Sequence, residues 1–173
     1  MNLKKPKFWD FKEPNLIAYI LLPFAFLLQY LNSFFRRNNP YKFKIKTVCV
    51  GNIYIGGTGK TSLSIQINKI LNKKNIKACF VKKFYIDQAD EQKLLEKEGK
   101  LFLAKTRFEA IQKAEKENYE FVILDDGLQD PSIKYDFNLV CFNTLNWKGN
   151  GLTIPAGPLR ESINNLKNYN HVF

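Results

Sequence analysis

The chain has 173 residues, enough for one domain with a terminal appendage, and its 27 Lys and Arg against 16 Asp and Glu give a net charge of +11. A hydrophobic content of 45% excludes a disordered chain, and only nine Gly and seven Pro exclude a collagen-like or low-complexity polymer. Cys49, Cys79 and Cys141 are widely spaced and His171 is the only histidine, which argues against a disulfide framework and a zinc site and for a reducing compartment.

The charge concentrates at the start. Residues 1–46 hold nine basic residues (Lys4, Lys5, Lys7, Lys12, Arg36, Arg37, Lys42, Lys44, Lys46) and two acids (Asp10, Glu13), a net +7. Inside this segment Asn15–Phe35 carries no charge. As a helix it would run about 31 Å, near the hydrocarbon thickness of a bilayer. Four readings compete. A secretory signal lacks a small-residue cleavage site after it. A membrane span has suitable basic flanks but is diluted by Pro23, Gln29, Asn32 and Ser33. A helix buried against the domain has the same short apolar pattern. The favoured reading is an amphipathic helix lying on an anionic membrane surface, with Lys and Arg at the headgroups. Nucleic-acid binding ranks low, because the basic residues flank a lipid-like stretch and no recognition motif accompanies them.

After Pro40 strands and helices alternate. Lys46–Gly51 reads as a strand, Lys60–Lys73 as a helix and Ile76–Lys82 as a second strand. Asp90–Glu98 is short and helical, Lys100–Ala104 a third strand, and Thr106–Asn118 a helix. Glu120–Leu124 is a continuous apolar run, as in a strand covered on both faces. Asn138–Phe142 and Tyr169–Phe173 complete the strands. The alternation predicts an α/β fold with a mainly parallel sheet and flanking helices, preceded by the N-terminal helix. The boundary falls between residues 1–39, the membrane-associating helix, and 40–173, the nucleotide-binding domain. The cysteines lie inside strands and are read as small core residues.

Three constellations carry chemistry. Tyr54-Ile55-Gly56-Gly57-Thr58-Gly59-Lys60-Thr61 lies between a strand and a helix, the context of a phosphate-binding loop, here with Tyr54 at the usual first Gly. Glycines let backbone N–H groups converge on phosphate oxygens, and the helix N-terminus adds positive potential. Lys60 supplies a cation for the β/γ phosphates of ATP, and Thr61 a hydroxyl for Mg²⁺. Asp125 and Asp126 end an apolar strand, where carboxylates can face such a loop and hold Mg²⁺; with Gly127 they also suit an ordinary turn. Gly149-Asn-Gly151 and Pro155-Ala-Gly-Pro-Leu-Arg160-Glu161 form a stiff loop, whose Arg160 could bind phosphate through its planar fork or make a surface ion pair.

These segments, with Lys5-Pro-Lys-Phe-Trp-Asp10, Val50-Gly-Asn-Ile53 and Asp125-Asp-Gly-Leu-Gln129, occur in an order that resembles the tetraacyldisaccharide 4′-kinase family of lipid A synthesis. The likeness runs from residue 5 to the end, and Tyr54 fits it, since that family lacks the first Gly. The resemblance implies a P-loop NTPase-like kinase that moves the γ-phosphate of ATP to the 4′-hydroxyl of a tetraacylated diglucosamine 1-phosphate. It also implies a peripheral enzyme on the cytoplasmic face of the bacterial inner membrane. By the same resemblance residues 54–61 hold the nucleotide, Asp125 and Asp126 are the Walker B acids, and Arg160 and Glu161 lie near the phosphates and metal. Asp90, first of an Asp-Glu pair, is implied as the base; alone it would equally suit a helix N-terminus.

The chain departs from the family in three places. Lys82-Lys83-Phe84-Tyr85 stands for the usual Ser-Arg-Gly-Tyr, with a shortened stretch before Asp90. Asp130 follows Gln129 where His is common. The chain stops at Phe173, in what reads as mid-strand, before the His expected to partner the base; His171 matches no motif. Two rival readings are a membrane-surface switch ATPase, whose signature Lys would stand where Ile55 stands, and a membrane-attached nucleotide binder without turnover.

Overall fold

The structure, a computed structural model, describes residues 5–34, 39–144 and 147–173. Lys4, Phe35, Arg36 and Arg37 of the basic N-terminal segment lie outside the described residues.

Helix α1 spans Leu16–Phe34. Then come β1 (Lys46–Gly51), α2 (Lys60–Lys73), β2 (Ala78–Lys83), α3 (Ala89–Glu98), β3 (Leu101–Ala104), α4 (Arg107–Lys116), β4 (Phe121–Asp125), β5 (Phe137–Val140) and β6 (His171–Val172). The strands form one sheet in the order β3-β2-β4-β1-β5-β6, and every pairing is parallel. Strands β1 and β4 sit at the centre with Val50 opposite Asp125, so the loop after β1 and the carboxyl end of β4 open at the same edge. That edge is where parallel sheets place ligands.

Both faces of the sheet are covered, which explains the unbroken apolar runs of β1, β2 and β4. On one face Ala110, Ile111 and Ala114 of α4 pack on Cys49, Cys79, Val81, Val122 and Leu124. On the other, Ile65 of α2 and Leu95 of α3 pack on Val48, Val50, Phe80 and Ile123. Thr106 caps α4 by accepting a hydrogen bond from the Glu109 backbone N–H at 3.2 Å. Asn75 and Asn118, with φ of 58° and 56°, turn the chain in left-handed geometry after α2 and α4. The three cysteines are free and buried. Burial pushes their thiols up, to about 12 at Cys79 and about 11 at Cys141. They stay protonated at neutral pH and serve as core.

Helix α1 is different. Only Ala18 and Ala25 are buried, while Leu16, Phe26, Tyr30 and Phe34 are each at least 65% exposed. Among the described residues, then, the domain covers little of this helix. Gln29 donates a hydrogen bond to the Thr153 hydroxyl, and Asn32 and Ser33 line a cavity, so the polar residues of α1 turn toward the domain and its large apolar residues turn away. The helix is long and apolar enough to cross a membrane.

The segment from Gly149 to Glu161 buttresses the loop after β1. The Asn150 side chain is buried and donates to the Ala156 carbonyl at 2.9 Å, and its backbone N–H donates to Trp9 at 3.0 Å. The Trp9 indole N–H donates to the Pro155 carbonyl at 3.1 Å. Gly157 is required by space: a Cβ there would lie 2.1 Å from Asn150 Oδ1 and 2.3 Å from the Leu152 carbonyl oxygen. We expect Gly157→Ala to cost about 3 kcal/mol of stability by forcing these backbone groups apart. Urea denaturation measures this, and an unchanged midpoint would contradict the buttress.

Candidate nucleotide and metal site

The loop between β1 and α2 turns on two glycines. Gly56 and Gly59 have φ of 143° and 78°, and Gly59 ends the loop as the left-handed residue before α2. The Asn52 side chain holds the curve by donating to the carbonyls of Tyr54 (2.5 Å) and Gly56 (3.1 Å). The buttress adds two rungs: the Ile55 N–H donates to the Pro158 carbonyl at 2.9 Å, and the Arg160 N–H to the Ile53 carbonyl at 2.6 Å. Tyr54 is not left-handed, so the position needs no Gly. Its ring is buried, it bridges to Leu159, and its hydroxyl meets Asp10 and Lys5 from the N-terminal segment. Among the described residues no hydrogen bond or ion pair holds the Lys60 ammonium, which stands half-buried at the start of α2.

Asp125 closes the site from β4. Its carboxylate is 1% exposed. Oδ2 accepts from the Thr61 hydroxyl at 3.3 Å and from the Lys82 ammonium at 2.8 Å. Oδ1 is buried with no hydrogen-bond partner among the described residues. An orphaned carboxylate oxygen beside a Thr hydroxyl at the foot of a phosphate loop fits Mg²⁺, which takes few protein ligands and completes its shell with water and phosphate oxygens. Among the described residues no group of three or more His, Cys, Asp or Glu gathers, so Asp125, Asp126 and Glu161 do not come together as one ligand set.

Asp126 points elsewhere. Its φ of 62° turns the chain sharply after β4, and its Oδ1 accepts from Arg160 at 3.1 Å. Arg160 also donates to Gln129 Oε1 at 3.0 Å. Glu161 accepts from the Tyr169 hydroxyl at 2.5 Å and the Asn165 amide at 2.9 Å. Arg160 and Glu161 line a cavity of about 530 Å³ with Gln29, Asn32, Ser33 and Gln129, between α1 and the sheet edge. The two neighbouring acids thus serve different partners: Asp125 the phosphate loop, Asp126 the arginine loop.

Asp90 is exposed in the first turn of α3. Its neighbour Glu91 reaches the site instead and forms an ion pair with Lys82. Lys82 was not singled out from the sequence. Its side chain is 2% exposed, and burial would lower its pKa, but the charge and hydrogen bond of Asp125 and those of Glu91 outweigh burial and raise it. A signal was present: Lys82 follows Phe80 by two residues in β2, on a register that faces the core.

Comparison with known proteins follows the same lines. The profile of a family described as tetraacyldisaccharide-1-P 4′-kinase (LpxK) matches residues 17–173. A tetraacyldisaccharide 4′-kinase of Pelagibacter ubique (strain HTCC1062) is 60% identical over the whole chain, which covers 55% of that protein. One of Rickettsia canadensis (strain McKiel) is 34% identical over 95% of this chain and 55% of its own length. The chain thus spans about half the length of these curated relatives. A crystal structure of LpxK from Aquifex aeolicus, described as in complex with ATP, superposes with a TM-score of 0.74 over 91% of this chain and 58% of that one, at 23% identity. This likeness establishes the fold.

Proposed function

We propose a function from one premise: the chain belongs to the tetraacyldisaccharide-1-P 4′-kinase family. It carries the nucleotide half of a lipid kinase that moves the γ-phosphoryl group of ATP, with Mg²⁺, to the 4′-hydroxyl of a tetraacyldisaccharide 1-phosphate. The observation that carries this reading is the orphaned Asp125 Oδ1 beside Thr61 at the base of the Gly56–Thr61 loop.

Each group has a task. Backbone N–H groups of the loop and the Lys60 ammonium meet the β/γ phosphates. Thr61 and Asp125 would hold Mg²⁺, which would neutralise charge on the phosphate oxygens. The Thr61 hydroxyl donates a hydrogen bond to Asp125 Oδ2, which would leave the hydroxyl oxygen's lone pairs free for a metal. Arg160, steered by Asp126 and Gln129, supplies a second cation from the opposite loop. The family resemblance, and not a contact in the site, gives Asp90, exposed in the first turn of α3, the task of accepting the acceptor hydroxyl's proton as the new phosphorus–oxygen bond forms; a sugar hydroxyl is too weak an acid to lose it earlier. The acceptor's sugar enters the cavity under α1, and its acyl chains follow the apolar outer face of that helix into the lipid. Residues 1–39 act as a peripheral anchor at the cytoplasmic face of the inner membrane, and 40–173 as the nucleotide domain.

The test is label transfer from γ-labelled ATP to the lipid acceptor, by this chain and by a full-length relative. Labelled lipid from both supports the reading; ATP binding without transfer by this chain favours the binder; no ATP binding removes both. The membrane part has its own test. Ile20→Glu with Leu27→Glu changes two exposed positions of α1, 62% and 55% exposed. We expect the chain to float with anionic vesicles, less so at high salt, and the double variant to stay behind. Binding that resists both salt and carbonate would indicate a span.

A further inference from the structure

The Lys82 ammonium lies between two carboxylates at the foot of the nucleotide loop. It donates to Asp125 Oδ2 at 2.8 Å and to Glu91 Oε2, and two of its three N–H bonds are thereby used. Its side chain is 2% exposed and that of Asp125 is 1% exposed, so this is a buried charge and not a surface lysine that happens to touch an acid. Register brings it there. Strands β2 and β4 are parallel neighbours with Val81 opposite Leu124, which places the next residues, Lys82 and Asp125, side by side at the sheet edge. Glu91 arrives from α3, whose first turn stands over β2.

Both acids meet on the one ammonium, Asp125 from inside the sheet and Glu91, 52% exposed, from the solvent side, so a cation at this point is what joins them. A metal ion would serve, but it comes and goes with nucleotide. A lysine from the sheet is permanent. It also divides the labour of the Asp125 carboxylate: Oδ2 is fixed by Lys82 and Thr61, and Oδ1 alone is left without a partner.

We propose that Lys82 is a built-in cation of the metal site, a positioning residue that holds Asp125 and Glu91 together in the nucleotide-free protein and presents only Asp125 Oδ1 to an incoming divalent ion. This rests on the reading of Asp125 as a metal ligand. It assigns the nucleotide-free protein a weak metal site, because the lysine already neutralises much of the acidic charge. Metal binds well only when nucleotide phosphates add theirs.

Thermal unfolding and Mn²⁺ binding, followed by electron paramagnetic resonance without nucleotide or acceptor, test it on the full chain. Lys82→Met keeps the length of the side chain and removes the charge. Wild type should show little change in Tm between EDTA and millimolar Mg²⁺. Lys82→Met should melt several degrees lower in EDTA, recover in Mg²⁺, and bind Mn²⁺ about ten times more tightly, as a single charge removed from a buried site predicts. Lys82→Met with Asp125→Asn removes both charges; it should regain stability in EDTA and lose the metal response. If Lys82→Met is unfolded in EDTA, folding on Mn²⁺ addition supports the proposal, and failure to fold with metal overturns it. Equal Tm values for wild type and Lys82→Met in EDTA, or Mn²⁺ affinity that does not rise, also overturn it. None of these readouts requires kinase activity, so label transfer can fail while they hold, and the reverse.

Discussion

Lys60→Ala should lower phosphoryl transfer by about 2–4 kcal/mol of barrier stabilisation, on the scale of removing one preorganised electrostatic group. The loop amides remain, so ATP binding should survive with a smaller loss. The asymmetry follows from charge: the transferring oxygens and the bridge to the leaving phosphate carry more of it in the transition state than in bound ATP. Lys60 is also the loop residue whose ammonium no acid in the described structure holds, so its removal leaves no buried charge behind. The change should therefore act on kcat with little effect on Tm. Lys60→Arg should rescue poorly, because a broad planar guanidinium does not replace a compact ammonium. Rates near wild type in Lys60→Ala would remove the phosphate-loop assignment and the kinase reading with it.

Asp125→Asn has the second largest expected effect, and it falls on stability as well as on metal use. The amide keeps the shape and loses the charge that pairs with Lys82 across 2.8 Å, with both side chains at most 2% exposed. Breaking a buried pair from one side costs about 3 kcal/mol, because the surviving Lys82 charge keeps only the half-exposed Glu91 as a partner. Asp126→Asn should behave differently. Its pair with Arg160 is 24% and 30% exposed, and water screens what remains, so the cost is about 1 kcal/mol or less. The two neighbours thus separate in a denaturation experiment before any kinetics are run. Metal dependence should separate them too, with the Mg²⁺ concentration for half-maximal nucleotide binding rising more in Asp125→Asn. Equal effects at both positions would contradict the division of labour between them.

Much of this arrangement was legible in the chain, for identifiable reasons. The runs Lys46–Gly51 and Lys60–Lys73 became β1 and α2 over the same residues, because Gly51 and Gly59 punctuate them and the core lies on both sides. Strands β2, β5 and β6 begin or end up to two residues from where periodicity placed them (Ala78–Lys83, Phe137–Val140, His171–Val172), since their ends pair only where a neighbour continues. The mainly parallel sheet proved parallel at every pairing. Helix α1 was legible as a helix but not in its surroundings: an apolar run does not say whether protein or lipid covers it.

The site divides in the same way. The Gly56–Thr61 loop is local, so its place between β1 and α2 could be read from spacing. The meeting of Thr61 with Asp125 across 64 positions, and of Arg160 with Asp126 across 34, required the sheet order. Lys82 was passed over because a lysine at the end of a strand normally reads as solvated, and only the β2–β4 register reveals that it ends beside an acid. Asp90 and Glu91 are adjacent in sequence, and which of them faces inward depends on how the 3-10 turn Ile86–Gln88 feeds α3. That phase is set by packing and is invisible to composition.

The most direct test of the central claim is a calorimetric titration of ATP into this chain, with Mg²⁺ and again with EDTA. One saturable site, weakened severalfold by EDTA and by Asp125→Asn, is the predicted result. No heat of binding at millimolar ATP, or binding indifferent to both Mg²⁺ and Asp125, would contradict it.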